Sequence, residues 1–415
     1  MSNFYHRFRE EIAAGGSVEV IEDPVASRNG KLAGIFMLGL LVWLAIQNPW
    51  SFVFVVGLLV SVFLHEVGHF STARLTGMKS TQFFMGFGPR VWSTTRGEVE
   101  YGVRALPLGA FVRIIGMNNV DDVPAEDEPR AYRSKSYPRR LLVITAGSLM
   151  HMVIAFVLFF GLFVTSGREQ NTGIATIRGL DASASPAYNA GLREGDVLVS
   201  LGGTAVSDYD SVSSTVQTFA IGDSVAVVYE RDDVSKTTDV VLAEHPTESG
   251  RAYLGVYADD WGRVQLSLFA SVTAAIGDIG RTIVDSVKGV AVALNPMNSI
   301  RHLTNSEDAT IESRPTTVVG ISQVGGSIGE SDGLKGVLAL LASVNVFVGV
   351  FNMFPLLPFD GGHAAIATYE RIRSRNGRRY QADINKMVPV ATAVVGLLAL
   401  LLFTGLYLDI TQPLG

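Results

Sequence analysis

Between Trp50 and Leu64 the chain runs through fifteen residues without a charge, and the run continues directly into His65-Glu66-Val67-Gly68-His69. So apolar a stretch supplies most of the length of a bilayer-crossing helix. An acidic group on such a helix costs about 2.5 to 3.5 kcal/mol, so ionisable residues there point to function before packing. If the run is helical, His65 and His69 stand one turn apart on one face, with Glu66 beside them. Two neutral imidazoles at that spacing can grip one zinc ion, and the metal removes the objection to burying them. A carboxylate next to the metal can take a proton from water and later hand it to a leaving amine, which is peptide hydrolysis in outline.

The composition agrees with a membrane setting. Hydrophobic residues make up 48% of the 415, charged residues 17%, and the mean hydropathy is +0.30; soluble domains carry about a quarter charged residues. A net charge of −6 argues against nucleic acid as a partner. The absence of cysteine excludes thiol catalysis, cysteine zinc ligands and disulfides. The first apolar run follows some thirty polar residues and has no small-residue cleavage pattern behind it, so it is expected to be retained.

The expected fold class is an α-helical polytopic membrane protein of about five spans, with a re-entrant β-hairpin region and an inserted α/β domain. Residues 1–31 read as a polar tail, 32–47 as a first span and 50–77 as the span bearing the His-Glu-x-x-His motif. Over residues 80–117 short alternating runs broken by Gly86, Gly88, Pro89, Pro107 and Gly109 read as membrane-associated hairpins whose edge could pair with an unwound peptide. A charged loop at 118–140 leads to a span at 141–165. Residues 171–258 have the composition of a water-soluble insert, with the Ser185-Pro186-Ala187, Ala190-Gly191-Leu192 and Gly195-Asp196 steps of a bacterial PDZ-like domain, which binds peptides by strand addition. An amphipathic helix and linker are expected over 261–333, a span over 334–362, a basic loop over 363–386 and a last span over 387–409. Lys135, Arg139 and Arg140, and the arginines between Arg371 and Lys386, set those loops in the cytoplasm by the positive-inside rule. The amino terminus is then cytoplasmic, and the PDZ-like insert and carboxyl terminus extracytoplasmic.

A hydrolytic zinc site needs a third protein ligand and one open position. The extended metzincin pattern fails, because Leu75 and Thr72 stand where its third His and its Gly belong. A better candidate lies in Asn352-Met353-Phe354-Pro355-Leu356-Leu357-Pro358-Phe359-Asp360-Gly361-Gly362-His363. Two prolines and two glycines break a helix there, and broken helices in membranes mark binding sites. Asp360 is the acid of that break; it could instead cap a helix, and His363 is a rival ligand.

His65-Glu66-x-x-His69 in one span, Asn352-x-x-Pro355-x-x-x-x-Asp360-Gly361 in a later one and a PDZ-like insert between them resemble the site-2 protease family of zinc intramembrane proteases. Among these, the chain resembles bacterial single-PDZ members that act on anti-sigma factors. The resemblance implies Zn²⁺ held by His65, His69 and Asp360, with Glu66 as general base and Asn352 holding the substrate backbone. It also implies that Gly86-Phe87-Gly88 and Leu106-Pro107-Leu108 belong to a substrate-binding hairpin region, and that the PDZ-like domain admits membrane proteins already trimmed by an upstream site-1 protease. The expected setting is the bacterial inner membrane, with a single-pass transmembrane substrate and the lipid bilayer as partners. The chain departs from the family at Ala146-Gly147-Ser148-Leu149-Met150-His151, where His151 stands in place of the usual Asn and Ser148 in place of Pro. The competing reading is a membrane-anchored peptide-binding protein whose metal site is vestigial.

Overall fold

The structure is a computed structural model that describes residues 24–117, 121–180, 185–304, 310, 313–374, 379–383 and 386–414, without the side chains of residues 24–29 and Leu108. Of the expected amino-terminal tail, residues 1–23 lie outside the described residues, as do Arg375 and Arg378 of the basic loop. The chain divides into two compact units, Met1–Leu162 with Val272–Gly415, and Phe163–Ser271.

The first unit is built on apolar helices: α1 (Pro24–Gln47), α2 (Pro49–Leu75), α3 (Tyr137–Ser166), which runs on into the second unit, and, after the insert, elements described below. Among the described residues five helices are long and apolar enough to cross a membrane, so this is a multi-pass membrane protein. Helix α2 starts where Asn48 caps it, its side chain accepting from Ser51 N at 2.9 Å, and where Pro49 supplies a first-turn residue that needs no donor.

Between α2 and α3 lies one long bent hairpin, β1 (Ser80–Arg96) and β2 (Val99–Ile114), rather than several short ones. Both strands fold over, so Phe83 partners Val112 and also Tyr101, while Arg96 partners Val99 at the turn. The glycines read as breaks in sequence are bends within the strands: Gly86 has φ +90°, and a Cβ there would meet the carbonyl oxygens of Leu106 and Arg104 at 2.8 and 2.9 Å. The hairpin packs on α2 through aromatic edges, Phe83 against Phe63 and Phe70 with centroids 5.5 and 5.4 Å apart.

The second unit holds an antiparallel sheet of β3 (Arg168–Leu180), β4 (Val197–Leu201), β5 (Ser224–Arg231), β6 (Val234–Val241) and β7 (Val256–Val264), in the order β7-β3-β4-β5-β6, with α4 (Tyr209–Val216) capped by Asp208. Ile177, Leu198, Leu201, Val227 and Val240 of these strands are buried together in one core. The strands reach beyond the expected 171–258 at both ends, and β7 occupies residues assigned above to the start of an amphipathic helix.

That helix, α5, spans Leu268–Ala293 and is followed by α6 (Pro296–Leu303), α7 (Val318–Asn352), α8 (Asp360–Arg373) and α9 (Val388–Thr411). Two corrections to the sequence reading arise here. The stretch from 318 to 333, expected within the amphipathic helix and linker, is the first half of α7, broken only at Gly333 (φ +64°). Its small residues let α7 approach α2 closely: a Cβ on Gly326 would lie 2.5 Å from Ser51 Oγ, and one on Gly325 3.0 Å from the Phe54 ring. Ser51 Oγ also donates to Ser322 O at 2.7 Å. The second correction is that the expected span 334–362 ends at Asn352, and the residues of the expected loop from 363 to 373 are helical. Pro355 and Pro358 cannot continue a helix, and a new one starts at Asp360.

Candidate metal centre

The site is assembled from α2, α3, α7 and α8. On α2 the spacing of four residues sets His65 and His69 on one face, with Nε2 atoms 3.1 Å apart. Asp360, first residue of α8, brings Oδ2 to 3.5 Å from His65 Nε2 and 3.3 Å from His69 Nε2. Among the described residues these three form the one group of metal-binding side chains whose ligand atoms all lie within 4.8 Å of one another. Asp360 does not cap its helix; the N-cap position belongs to Phe359, which makes no side-chain cap. His363 is buried on α8, but is not part of the group.

The donor set fits zinc on its own terms. Zinc–ligand distances of 2.0 to 2.1 Å in a tetrahedron put ligand atoms about 3.3 Å apart, and the three separations here are 3.1, 3.3 and 3.5 Å. His69 Nδ1 donates to Val143 O at 2.7 Å, which fixes the tautomer and turns a bare Nε2 lone pair inward. Asp360 Oδ2 is buried without a hydrogen-bond partner. A bare His69 nitrogen, His65 Nε2 and an unpaired carboxylate oxygen at this range are the arrangement that a shared cation would satisfy.

Glu66 stands beside the group, with Oε1 4.0 Å from His65 Nε2 and its side chain largely buried. Above the imidazoles lies Gly147 of α3: a Cβ there would fall 2.5 Å from His65 Nε2 and collide with His69 as well. Only glycine leaves room for both rings. The neighbouring contact is equally tight, since a Cβ on Gly68 would meet Ala146 O at 2.8 Å.

Behind His65 a buried polar chain ties three helices. His151 on α3, its ring 5.0 Å from that of His65, donates from Nδ1 to Asn345 Oδ1 on α7 at 2.8 Å. Asn345 Nδ2 donates in turn to Ser61 Oγ on α2 at 3.1 Å and to Leu341 O at 2.8 Å. His151 is therefore spoken for on one nitrogen and lies outside the metal group. No spacing rule points to Asn345 or Ser61, although a lone amide in an apolar run is the signal that finds Asn345.

The remaining sequence candidates are not part of the metal-binding group. Asn352 is the last residue of α7, half-buried, eight positions before Asp360. Phe87 and Leu106 are partners across the hairpin, each 41% exposed, with Gly86, Gly88 and Pro107 beside them on the two strands. Leu108 is on β2, and its side chain lies outside the described residues.

A three-ligand zinc site with an adjacent carboxylate, held among apolar helices, defines a membrane metalloprotease. Peptidase family M50 matches residues 53–396. Zinc metalloprotease Rip1 of Mycobacterium bovis is 31% identical over 394 residues, covering 87% of this chain and 97% of that protein. Rip1 of Mycolicibacterium smegmatis is 32% identical over 397 residues with the same coverage. Among solved structures, the PDZ domain of an SdrC-like protein from Listeria monocytogenes aligns with 20% of this chain and 85% of its own at 19% identity, with a TM-score of 0.19. The chain belongs to peptidase family M50, the site-2 proteases, and is a zinc-dependent intramembrane protease.

Proposed function

We propose that the protein cuts the transmembrane segments of single-pass membrane proteins already trimmed outside the membrane by a site-1 protease, with anti-sigma factors as the substrate class. The observation that carries the catalytic part is the convergence of His65, His69 and Asp360 with Glu66 Oε1 4.0 Å from His65 Nε2. His65, His69 and Asp360 hold the metal; bound zinc supplies Lewis-acid activation of water for attack on a carbonyl. Glu66 takes the proton of the attacking water on its carboxylate and returns it to the departing amine. Its burial among apolar helices keeps bulk water from competing for that proton.

A helical substrate shields its amides with its own hydrogen bonds, so the segment to be cut must unwind and find replacement partners. The hairpin around Gly86, Phe87, Gly88, Leu106, Pro107 and Leu108 offers strand edges for this purpose, and Asn352 an amide where α7 ends. The anti-sigma assignment is supported by the single-PDZ resemblance alone. The cation-rich ends at Lys135–Arg140 and Arg371–Lys386 favour a cytoplasmic side for those segments, an extracytoplasmic PDZ-like insert and the inner membrane as location.

The test is cleavage of a single-pass reporter in proteoliposomes. Glu66→Gln is expected to keep zinc and to lose about 10²- to 10⁴-fold in rate; zinc-loaded Glu66→Gln cutting at the wild-type rate would remove Glu66 from the chemistry.

A further inference from the structure

Away from the metal, a cavity of about 740 Å³ opens between the head of α3 and the far end of α8. Lys135, Arg140, Arg371 and Arg379 line it, against one carboxylate, Glu370, among its described lining residues. That carboxylate is fully used. It accepts from Arg140 Nη2 at 2.7 Å and from Ala382 N at 2.8 Å, and both ends of the Arg140–Glu370 pair are buried. Arg379 donates to the carbonyls of Arg133 and Lys135.

The charge left over is cationic. Neither the Lys135 ammonium nor the Arg371 guanidinium has an ion-pair or hydrogen-bond partner among the described residues. Arg140 Nε is buried and unpaired, although Nη2 of the same guanidinium donates to Glu370. Partial burial, with a smaller part from Arg139 and Arg130, holds Lys135 below the usual lysine range. Ser136 and Tyr137 also line the cavity, which brings the positive end of the 30-residue α3 to the same place.

We propose that this cavity binds a phosphate group between Lys135, Arg371 and Arg140, presented by an anionic lipid headgroup or taken up as free phosphate. Phosphate matches the donors: its charge offsets Lys135 and Arg371, which the protein leaves unpaired, while Arg140, already paired with Glu370, adds the N–H of its unpartnered Nε. The position favours the lipid source. Helix α3 is a candidate membrane span that starts at Tyr137, so the cavity lies at a span end, where headgroups lie and basic residues attract anionic lipid. Helix α8 begins at Asp360 and carries Arg371 eleven residues on, about 16 Å along a rigid helix. A bound phosphate therefore braces the helix that presents the third zinc ligand.

The experiment uses the full chain and reads binding rather than cleavage, so its failure is separable from that of the proposed protease function. Lipid retention is measured by native mass spectrometry from nanodiscs of phosphatidylglycerol and phosphatidylcholine in equal parts, and inorganic phosphate is titrated calorimetrically in neutral detergent. Phosphatidylglycerol is expected to be retained preferentially. Lys135→Gln with Arg371→Gln should weaken retention about 25-fold, about five-fold for each cation removed, while Lys288→Gln with Lys335→Gln outside the cavity leaves it unchanged. The single variants, each with about a five-fold loss, carry the same test if the double variant fails to express. Saturable phosphate binding that depends on Lys135 and Arg371, without lipid preference, supports the site with free phosphate as its source. Lipid retention and phosphate binding both indifferent to Lys135 and Arg371 would overturn the proposal.

Discussion

Replacing Gly147 by alanine is a demanding trial of the metal centre, because it adds one methyl group and touches no ligand. The new Cβ would lie 2.5 Å from His65 Nε2 and against His69; ordinary carbon contacts need about 3.5 Å, so something must retreat by about 1 Å. The imidazoles cannot yield freely. His69 is tied to Val143 O at 2.7 Å, and α2 is already in backbone contact with α3 at Gly68. Helix α3 is also held by a second helix on the flank of the same face, where a Cβ on Gly349 of α7 would meet Ser148 O and His151 Cβ at 3.2 Å. Zinc sites tolerate about 0.2 Å in ligand distance, and disturbing the groups that orient ligands costs about 10- to 100-fold in affinity. Gly147→Ala should therefore lose at least that much zinc affinity, read by chelator competition on purified protein with metal content by mass spectrometry. A variant with wild-type zinc affinity would refute the claim that the two rings fill the space above Gly147.

Other consequences are open to measurement. Asn345→Leu strands the buried Nδ1–H of His151, while the Ser61 hydroxyl keeps its bond to Gly57 O, and should cost about 1 to 3 kcal/mol, visible as a lower thermal unfolding midpoint in detergent. In the second unit, Asp196 is 1% exposed and accepts from Arg231 Nε and Nη2 at 2.6 and 2.7 Å and from Arg193 N at 2.8 Å. Asp196→Ala should destabilise that unit by about 1 to 3 kcal/mol, since Arg231 is partly exposed and can rehydrate; unchanged protease resistance of the insert in the full chain would contradict this. Gly326→Leu should separate α7 from α2 and lower stability by about 1 to 3 kcal/mol, whereas the same change at Gly396, which has open space around it, should be nearly silent.

What could be read from the sequence was what depends on short-range spacing. His65 and His69 are one helical turn apart wherever a helix forms, and the prolines before Asp360 break a helix whatever surrounds them. The pairing of Asp360 with the two imidazoles rested on chemistry, since two histidines without an anionic or neutral third donor make an incomplete zinc site. Features that depend on distant approach were hidden. Gly325, Gly326 and Gly329 look like linker until α2 is laid against them, and Gly320 until Asp409 of α9 is. The bend that makes Phe83 a partner of both Val112 and Tyr101 cannot be seen from alternation, which reports one pairing at a time. Gly147 is a small residue in an apolar run, and only the histidine rings below it show why nothing larger fits.

Zinc affinity across the three single variants His65→Ala, His69→Ala and Asp360→Ala, each with its thermal stability recorded, tests the metal centre most directly. Each should bind zinc at least about 100-fold more weakly than wild type while retaining the fold, because each removes one of the three proposed ligands. A folded Asp360→Ala protein with wild-type zinc affinity would contradict the assignment and send the search for the third ligand elsewhere.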